Sequence, residues 1–256
     1  MSRVSCKSAG ELALMRESGR IVSEVLTLIG SHVRPGVTTG ELDAIAEEYI
    51  RAQGGVPAFK GYGPDKRNLF PATLCISIDD IVVHGIPGGR ILEEGQVVSV
   101  DVGVKKDKYF GDAARTFAVG RISDEKRRLL QVTEEALYEG IRQARAGNHL
   151  HDISAAVQRH VEEAGFSVVR DLVGHGIGKN LHEEPAVPNY GTPGTGILLK
   201  EHMTLAIEPM VNAGTYVVRM DDDGWTVRTA DGKPSAHFEH TVVLTNDEAE
   251  ILTRHG

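Results

Sequence analysis

Four carboxylates and one imidazole carry the chemistry this sequence can do: Asp101, Asp112, His175, Glu208 and Glu239. Each lies in a run that otherwise reads as buried strand. A carboxylate buried alone is costly and takes up a proton. Four of them converging with a histidine on one core are tolerable where cations hold them together. The set is hard and oxygen-rich, with one nitrogen donor and no thiolate, which suits Mn, Fe(II), Co or Zn.

The first two show the logic. Val98, Val100, Val102 and Val104 alternate with Val97, Ser99, Asp101 and Gly103, so Asp101 faces away from the valine row. The polar run Lys105-Lys106-Asp107-Lys108 follows, then a second strand-like run from Tyr109 to Val119. A hairpin centred between Lys106 and Asp107 predicts Asp101 opposite Asp112. Like charges placed so are destabilising, and a pair of divalent ions reverses the sign. From these two residues alone, a pair of solvated hairpin aspartates is the alternative. His175 stands in Gly174-His175-Gly176-Ile177-Gly178, where three glycines allow close approach of backbone and substrate. Glu208 precedes Pro209, which ends or exposes its strand and puts the carboxylate at the rim. Glu239 alternates with Phe238 and His240 in a run from His237 to Leu244 that reads as one strand. Taken singly, each is also compatible with a hydrogen-bonded core group.

The elements that must position these residues come in two sets. Ser8 and Glu11 form a capping box before a helix through about Leu28, and Thr38 and Glu41 repeat it before a helix ending near Gly54-Gly55. A long helix from about Asp124 to Ala144 and another from about Asp152 to Ala164 follow in the second half. At an offset of 111 residues, Arg34 matches Arg145, Gly36 matches Gly147, Leu42 matches Ile153, Ala44 matches Ala155, Ile50 matches Val161 and Gly54 matches Gly165. After each helix pair the chain turns to strands. The expectation is an internal duplication, two α–β halves related by a pseudo-twofold with the site between their sheets; chance alignment of two helix pairs is the alternative.

At this level of detail the chain resembles the type I methionine aminopeptidases, among the pita-bread metallopeptidases. The matching stretches are Cys75-Ile76-Ser77-Ile78, Val83-His84-Gly85-Ile86-Pro87, Ser99-Val100-Asp101-Val102-Gly103, Gly111-Asp112, Gly174 to Gly178, His182-Glu183-Glu184-Pro185, Ile207-Glu208-Pro209-Met210 and Glu239-His240-Thr241. The segment from Glu11 to Glu24 is similar to the family's opening helix, so the likeness spans essentially all of residues 1–256, read as one catalytic domain. The resemblance implies an α/β (α+β) pita-bread fold with central antiparallel sheets flanked by helices. Two departures stand out. Asp79-Asp80 replaces the family's Asn-Glu, and the stretch from Gly63 to Leu69 is longer than in compact bacterial forms, at the expected pocket entrance.

The resemblance also implies roles. The activity would be metal-dependent removal of the initiator methionine from nascent polypeptides, with a metal-bridged hydroxide attacking the first peptide bond. Two divalent ions (Co, Mn, Fe(II) or Zn) would be held by Asp101 on one side and His175 with Glu208 on the other, Asp112 and Glu239 bridging. Glu208 would shuttle the proton, His182 would hydrogen-bond the scissile peptide, and His84 would stabilise the tetrahedral intermediate; loop histidines on a sheet rim are the plainer reading of the last two. Tyr62, Phe70, Cys75 and Trp225, with His84 and His182, would form the substrate pocket, and Phe59 and Leu181 are further candidates. A thioether packs well against ring edges, although a core aromatic cluster is the plainer alternative. Leu181 stands where the family often has an aromatic, which implies a roomier wall.

Other motifs fail on their own terms. His182-Glu183-Glu184-Pro185-Ala186 lacks the second histidine of a zinc-protease helix, and Val173 and Asn180 break a phosphate-binding loop around Gly178-Lys179. No Gly-x-Ser-x-Gly elbow occurs. Cys75 lies in an apolar run, where burial makes a thiol inert. The net charge of −8 and pI near 5.8 argue against a nucleic-acid partner. Two cysteines make no disulfide framework. No basic-then-apolar leader and no long apolar run occurs, so the expectation is a cytoplasmic protein without membrane contact. The resemblance implies nascent N-termini as partners and transient contact with the ribosome, and the expected state is a monomer. Two competing readings are a prolidase-type relative, which usually carries a large domain ahead of such motifs, and a binding protein that keeps the fold without catalysis.

Overall fold

The computed structural model describes residues 4–254. Helices α1 (Ala9–His32) and α2 (Thr39–Ala52) open the first half; α3 (Asp124–Gln143) and α4 (Leu150–Glu163) open the second. Ser8 and Thr38 cap α1 and α2 reciprocally: the carboxylates of Glu11 and Glu41 accept the cap residues' N–H groups at 2.8 and 2.7 Å. Donors that the first turn would leave orphaned are thereby satisfied. α1 runs to His32, one turn beyond the expected Leu28. Gly30 does not interrupt it, because that glycine makes room for a neighbour: a Cβ would lie 2.7 Å from Phe117 Cε1. α4 begins two residues before the expected Asp152. Asp152 is its third residue, and its carboxylate accepts the His149 N–H at 2.7 Å.

The repeat at an offset of 111 residues extends well beyond the helices. It carries both ends of α2 onto those of α4 and the strand Val56–Pro57 onto Ser167–Val168. It carries Gly36 onto Gly147, and each of these donates its N–H to a leucine carbonyl, Leu92 O (2.9 Å) and Leu199 O (3.0 Å), the second acceptor lying four residues short of the offset. Both glycines sit at φ +93°, a conformation L side chains rarely adopt. Among the described residues, all pairings between strands are antiparallel. The valine row of strand Val97–Lys106 packs under α1 and α2. Leu205, Ile207, Val242 and Leu244 do the same under α3 and α4. The expected mixed α/β architecture, antiparallel sheets flanked by helices, is what the chain adopts.

Two local expectations need correction. The hairpin register pairs Asp101 with Ala114 and Gly103 with Asp112, not Asp101 with Asp112. The turn is Asp107-Lys108, both at positive φ (+47° and +75°), the two-residue geometry whose twist suits a hairpin. That shifts every partner by two and leaves the two aspartates as diagonal neighbours on one face. The run from His237 to Leu244 is likewise not one strand. Ser235–His237 pairs with Met210–Asn212, and His240–Val243 pairs with Thr204–Ile207. Glu208 and Glu239 fall in the gap between these ladders, where each chain crosses from one sheet to the next.

Candidate metal centre

Placement of the acidic groups follows from that topology. Strand Val97–Lys106 turns its valines to the helices and so turns Asp101 the other way; Asp112 joins it from Tyr109–Ala118. The Asp112 backbone is fixed by Thr241, whose Oγ1 accepts its N–H at 3.0 Å. Glu239 is fixed by Ala114, whose carbonyl accepts its N–H at 2.9 Å. Pro209 leaves the Glu208 backbone out of the ladder, and the Glu208 carbonyl accepts from Asn189 Nδ2 at 3.0 Å. His175 sits on the three-residue strand Gly174–Gly176. Its Nδ1 lies 2.9 Å from the Gly176 carbonyl, which makes that nitrogen the donor. The lone pair on Nε2 then faces Glu208 Oε1 at 3.6 Å and Asp112 Oδ2 at 4.0 Å.

These contacts are not ion pairs. Burial raises the carboxyls of Asp101, Glu208 and Glu239 well above the ordinary range and lifts Asp112 to about 7. Burial, reinforced by His182, lowers His175 to about 3. Acid and base are both pushed toward neutrality, so neither charges the other. Asp101 Oδ1, Asp112 Oδ1 and Glu239 Oε1 are buried with no hydrogen-bond partner. Orphaned buried oxygens of this kind are costly. A cation would satisfy them and restore the ionised forms, so the donor set fits a hard or borderline metal ion. Ligand atoms of Asp112, His175 and Glu239 all lie within 4.8 Å of one another.

A cavity of about 130 Å³ contains every site residue expected from the sequence: the five above with His84, His182, Tyr62, Phe70, Cys75, Trp225, Phe59 and Leu181. The His182 ring lies 4.3 Å from the His175 ring, and its Nδ1 is 2.6 Å from the Tyr62 hydroxyl. His84 is held at φ +59° between its strand and Gly85, edge-on to Trp225. Burial, then His182, lowers His84 to about 4, and burial lowers His182. Both rings are therefore neutral at pH 7. Phe70 meets Trp225 edge to face at 5.3 Å. The stretch from Gly63 to Leu69 has a definite part here: Asn68 O accepts the Trp225 Nε1–H at 3.2 Å, and Asn68 Nδ2 donates to Asp223 O at 3.0 Å. The Cys75 thiol is buried and pushed well up by that burial and by Asp101, as an inert thiol should be.

One neighbour escaped the sequence reading. His237 is buried, and its Nε2 has no hydrogen-bond partner and lies 3.5 Å from Glu208 Oε2. Glu208 thus presents one oxygen to each of two imidazoles. Alternation along His237-Phe238-Glu239 was the available signal, since it puts residues 237 and 239 on one side.

Comparison with known proteins adds a lineage to this geometry. The model of metallopeptidase family M24 matches residues 13–246. A methionine aminopeptidase of Clostridium perfringens is 54% identical over 248 residues, covering 96% of this chain and 97% of the relative. Methionine aminopeptidase 1 of Bacillus subtilis is 50% identical over 251 residues, covering 98% and 99%. The crystal structure of methionine aminopeptidase from Rickettsia prowazekii superposes with a TM-score of 0.95 at 40% identity, covering 98% of this chain and all of that one.

Proposed function

The chain belongs to the type I methionine aminopeptidases of metallopeptidase family M24, and on that premise we propose that residues 1–256 form one catalytic unit that removes the initiator methionine from nascent polypeptides. It is a metal-dependent hydrolase acting on the first peptide bond. The observation that carries the chemistry is the trio of buried, unpartnered carboxylate oxygens aimed into a single cavity beside the His175 lone pair.

The donor set fits divalent ions such as Co, Mn, Fe(II) or Zn, and two of them would be held by Asp101, Asp112, His175, Glu208 and Glu239. When bound, such ions lower the pKa of water toward neutrality and supply the hydroxide nucleophile. The remaining work falls to the chain's own groups. Glu208 takes the water's proton and passes it toward the leaving amine. The Tyr62 hydroxyl, donating to His182 Nδ1, leaves Nε2–H of a neutral ring to hold the scissile carbonyl region. Neutral His84, fixed by its strained backbone and the Trp225 edge, donates to the developing oxyanion. Tyr62, Phe70, Cys75 and Trp225, with Phe59 and Leu181, form an apolar wall that accepts a thioether against ring edges.

The natural substrates are nascent peptide N-termini, met by a cytoplasmic monomer during passing contact with ribosomes, with neither nucleic acid nor membrane as a partner. Among the described residues, no helix is long and apolar enough to cross a membrane. The test is peptide hydrolysis after chelation, with Mn, Fe(II), Co and Zn restored singly. Metal-dependent release of Met from Met-Gly-Met-Met is expected. Cleavage of Ala-Pro-Ala alone would move the activity to the prolidase branch, and binding of metal with no cleavage of either peptide would make it a binding protein.

A further inference from the structure

Two ion pairs tie the entrance of α1 to the loop that carries Leu181 and His182, and one of them is buried. Lys7 Nζ lies 2.8 Å from Glu183 Oε2, with the side chains only 6% and 17% exposed. Lys7 is itself anchored: its N–H donates to His202 O at 2.8 Å, and Nζ also donates to Ser5 Oγ at 2.6 Å. The second oxygen of Glu183 accepts the Asn180 N–H at 3.0 Å. One carboxylate thus holds the loop's own backbone and the strap that precedes α1. Room for the pair exists because residue 178 is glycine. A Cβ there would stand 2.5 Å from Lys7 Cε and 2.9 Å from Glu183 Oε1. Nearby, the exposed pair of Glu11 and Lys179 (3.2 Å) adds a second tie, with Tyr109 donating to Glu11 at 2.7 Å.

A buried ion pair is poor evidence for stability, because desolvation offsets the attraction. α1 does not need this one; Leu12, Met15, Ile21, Val22 and Val25 already anchor it. What the pair fixes is geometry. Between strands Gly174–Gly176 and Glu183–Val187 the chain has no regular structure of its own. Yet that loop delivers Leu181 to the pocket wall and His182 to Tyr62. We propose that Lys7, acting through Glu183 in the space left by Gly178, is a positioning residue that holds the 178–183 loop in its substrate-binding form and thereby sets selectivity for the first side chain. The inference rests on the methionine aminopeptidase reading.

Lys7→Met, Glu183→Gln, the double variant and Gly178→Ala test it on the metal-loaded protein. The expected result for Lys7→Met is at least a tenfold loss in kcat/KM for Met-Gly-Met-Met, with a reduced preference for Met over norleucine at the first position. Amide exchange over residues 178–183 should quicken at least tenfold while that of α3 and α4 holds, and Mn affinity by calorimetry should stay at the wild-type value. The double variant should be no worse than Lys7→Met, because it leaves no buried charge alone, and Gly178→Ala should reproduce the pattern by crowding the pair. Wild-type selectivity and wild-type loop exchange in Lys7→Met would overturn the proposal. So would a uniform rise in exchange with lower Tm and unchanged selectivity, the mark of a merely structural role. If the metal-loaded wild type releases no Met, the functional reading fails instead, and loop exchange alone still decides whether the clamp exists.

Discussion

Removing the cations should make stability depend on pH in a direction unusual for a folded protein. In the cation-free protein, burial lifts the Asp112 carboxyl from 3.8 to about 7. The folded state then holds a proton that the unfolded chain has already released. Stability contributed by that protonated form is present below the unfolded pKa and is lost as pH rises toward 7. At about 1.4 kcal/mol per pKa unit, Asp112 alone costs about 4 kcal/mol across that window, and about 3 kcal/mol of it between pH 5 and 7.5. Asp101, Glu208 and Glu239 shift the same way. With cations bound the ligands are ionised, and affinity strengthens as pH rises. For a chain of this size, roughly 2–4 °C of Tm accompanies each kcal/mol. The gap in Tm between Mn-loaded and chelated protein should therefore widen by roughly 6–12 °C from pH 5 to pH 7.5. The buried neutral histidines act oppositely: His84, lowered to about 4, and His237, lowered to about 3, add stability as pH climbs toward 6.5. They do so in both forms, as do the surface carboxylates, so the difference between the two scans isolates the site. Scanning calorimetry at fixed ionic strength reads it directly. A gap that is constant or narrows with pH would refute the reasoning that buried, cation-dependent carboxylates dominate this site.

Three further outcomes are expected. Tyr62→Phe removes the hydroxyl 2.6 Å from His182 Nδ1; loss of about 0.5–1.5 kcal/mol corresponds to a roughly 2- to 12-fold fall in kcat, and steady-state kinetics with KM unchanged is the check. Leu181→Phe fills part of the pocket wall, so KM should rise more for N-terminal residues bulkier than Met than for Met itself; unchanged KM for both would dispose of the roomier-wall idea. Gly30→Ala forces a Cβ to within 2.7 Å of the Phe117 ring, and overpacking of this kind costs about 1–3 kcal/mol. Its denaturant midpoint should fall while metal-dependent hydrolysis at 25 °C stays at the wild-type rate.

The elements were legible wherever local chemistry determined them. Reciprocal caps at Ser8 and Thr38 announced α1 and α2, and paired glycines at positions 36 and 147 marked the duplication, because only a few residue types serve those positions. The valine row gave the face on which Asp101 lies. Register was harder. Asp107-Lys108 adopts positive φ at both residues without the glycine that normally advertises such a turn. The break between His237 and His240 left no mark in composition either, since a chain that changes sheets keeps its apolar residues. Glu239 was named for its type, and its setting emerged only from the crossover. His237 went unread because one histidine beside a stronger candidate looks like core. The Asn68 contact to Trp225 spans 157 residues, a distance at which no local pattern informs. Lys7 escaped for the same reason: its partner lies 176 residues away.

The most direct measurement of the central claim is Met release from Met-Gly-Met-Met by the chelated protein as Mn is restored in known equivalents, for the wild type and Glu208→Gln, with calorimetric binding in parallel. The account predicts release that appears only with metal in the wild type. In Glu208→Gln, which keeps Asp101, Asp112 and Glu239, it predicts retained metal binding with a rate lower by about 10²-fold or more. Full activity in Glu208→Gln, or a wild type that binds metal and releases no Met, would contradict it.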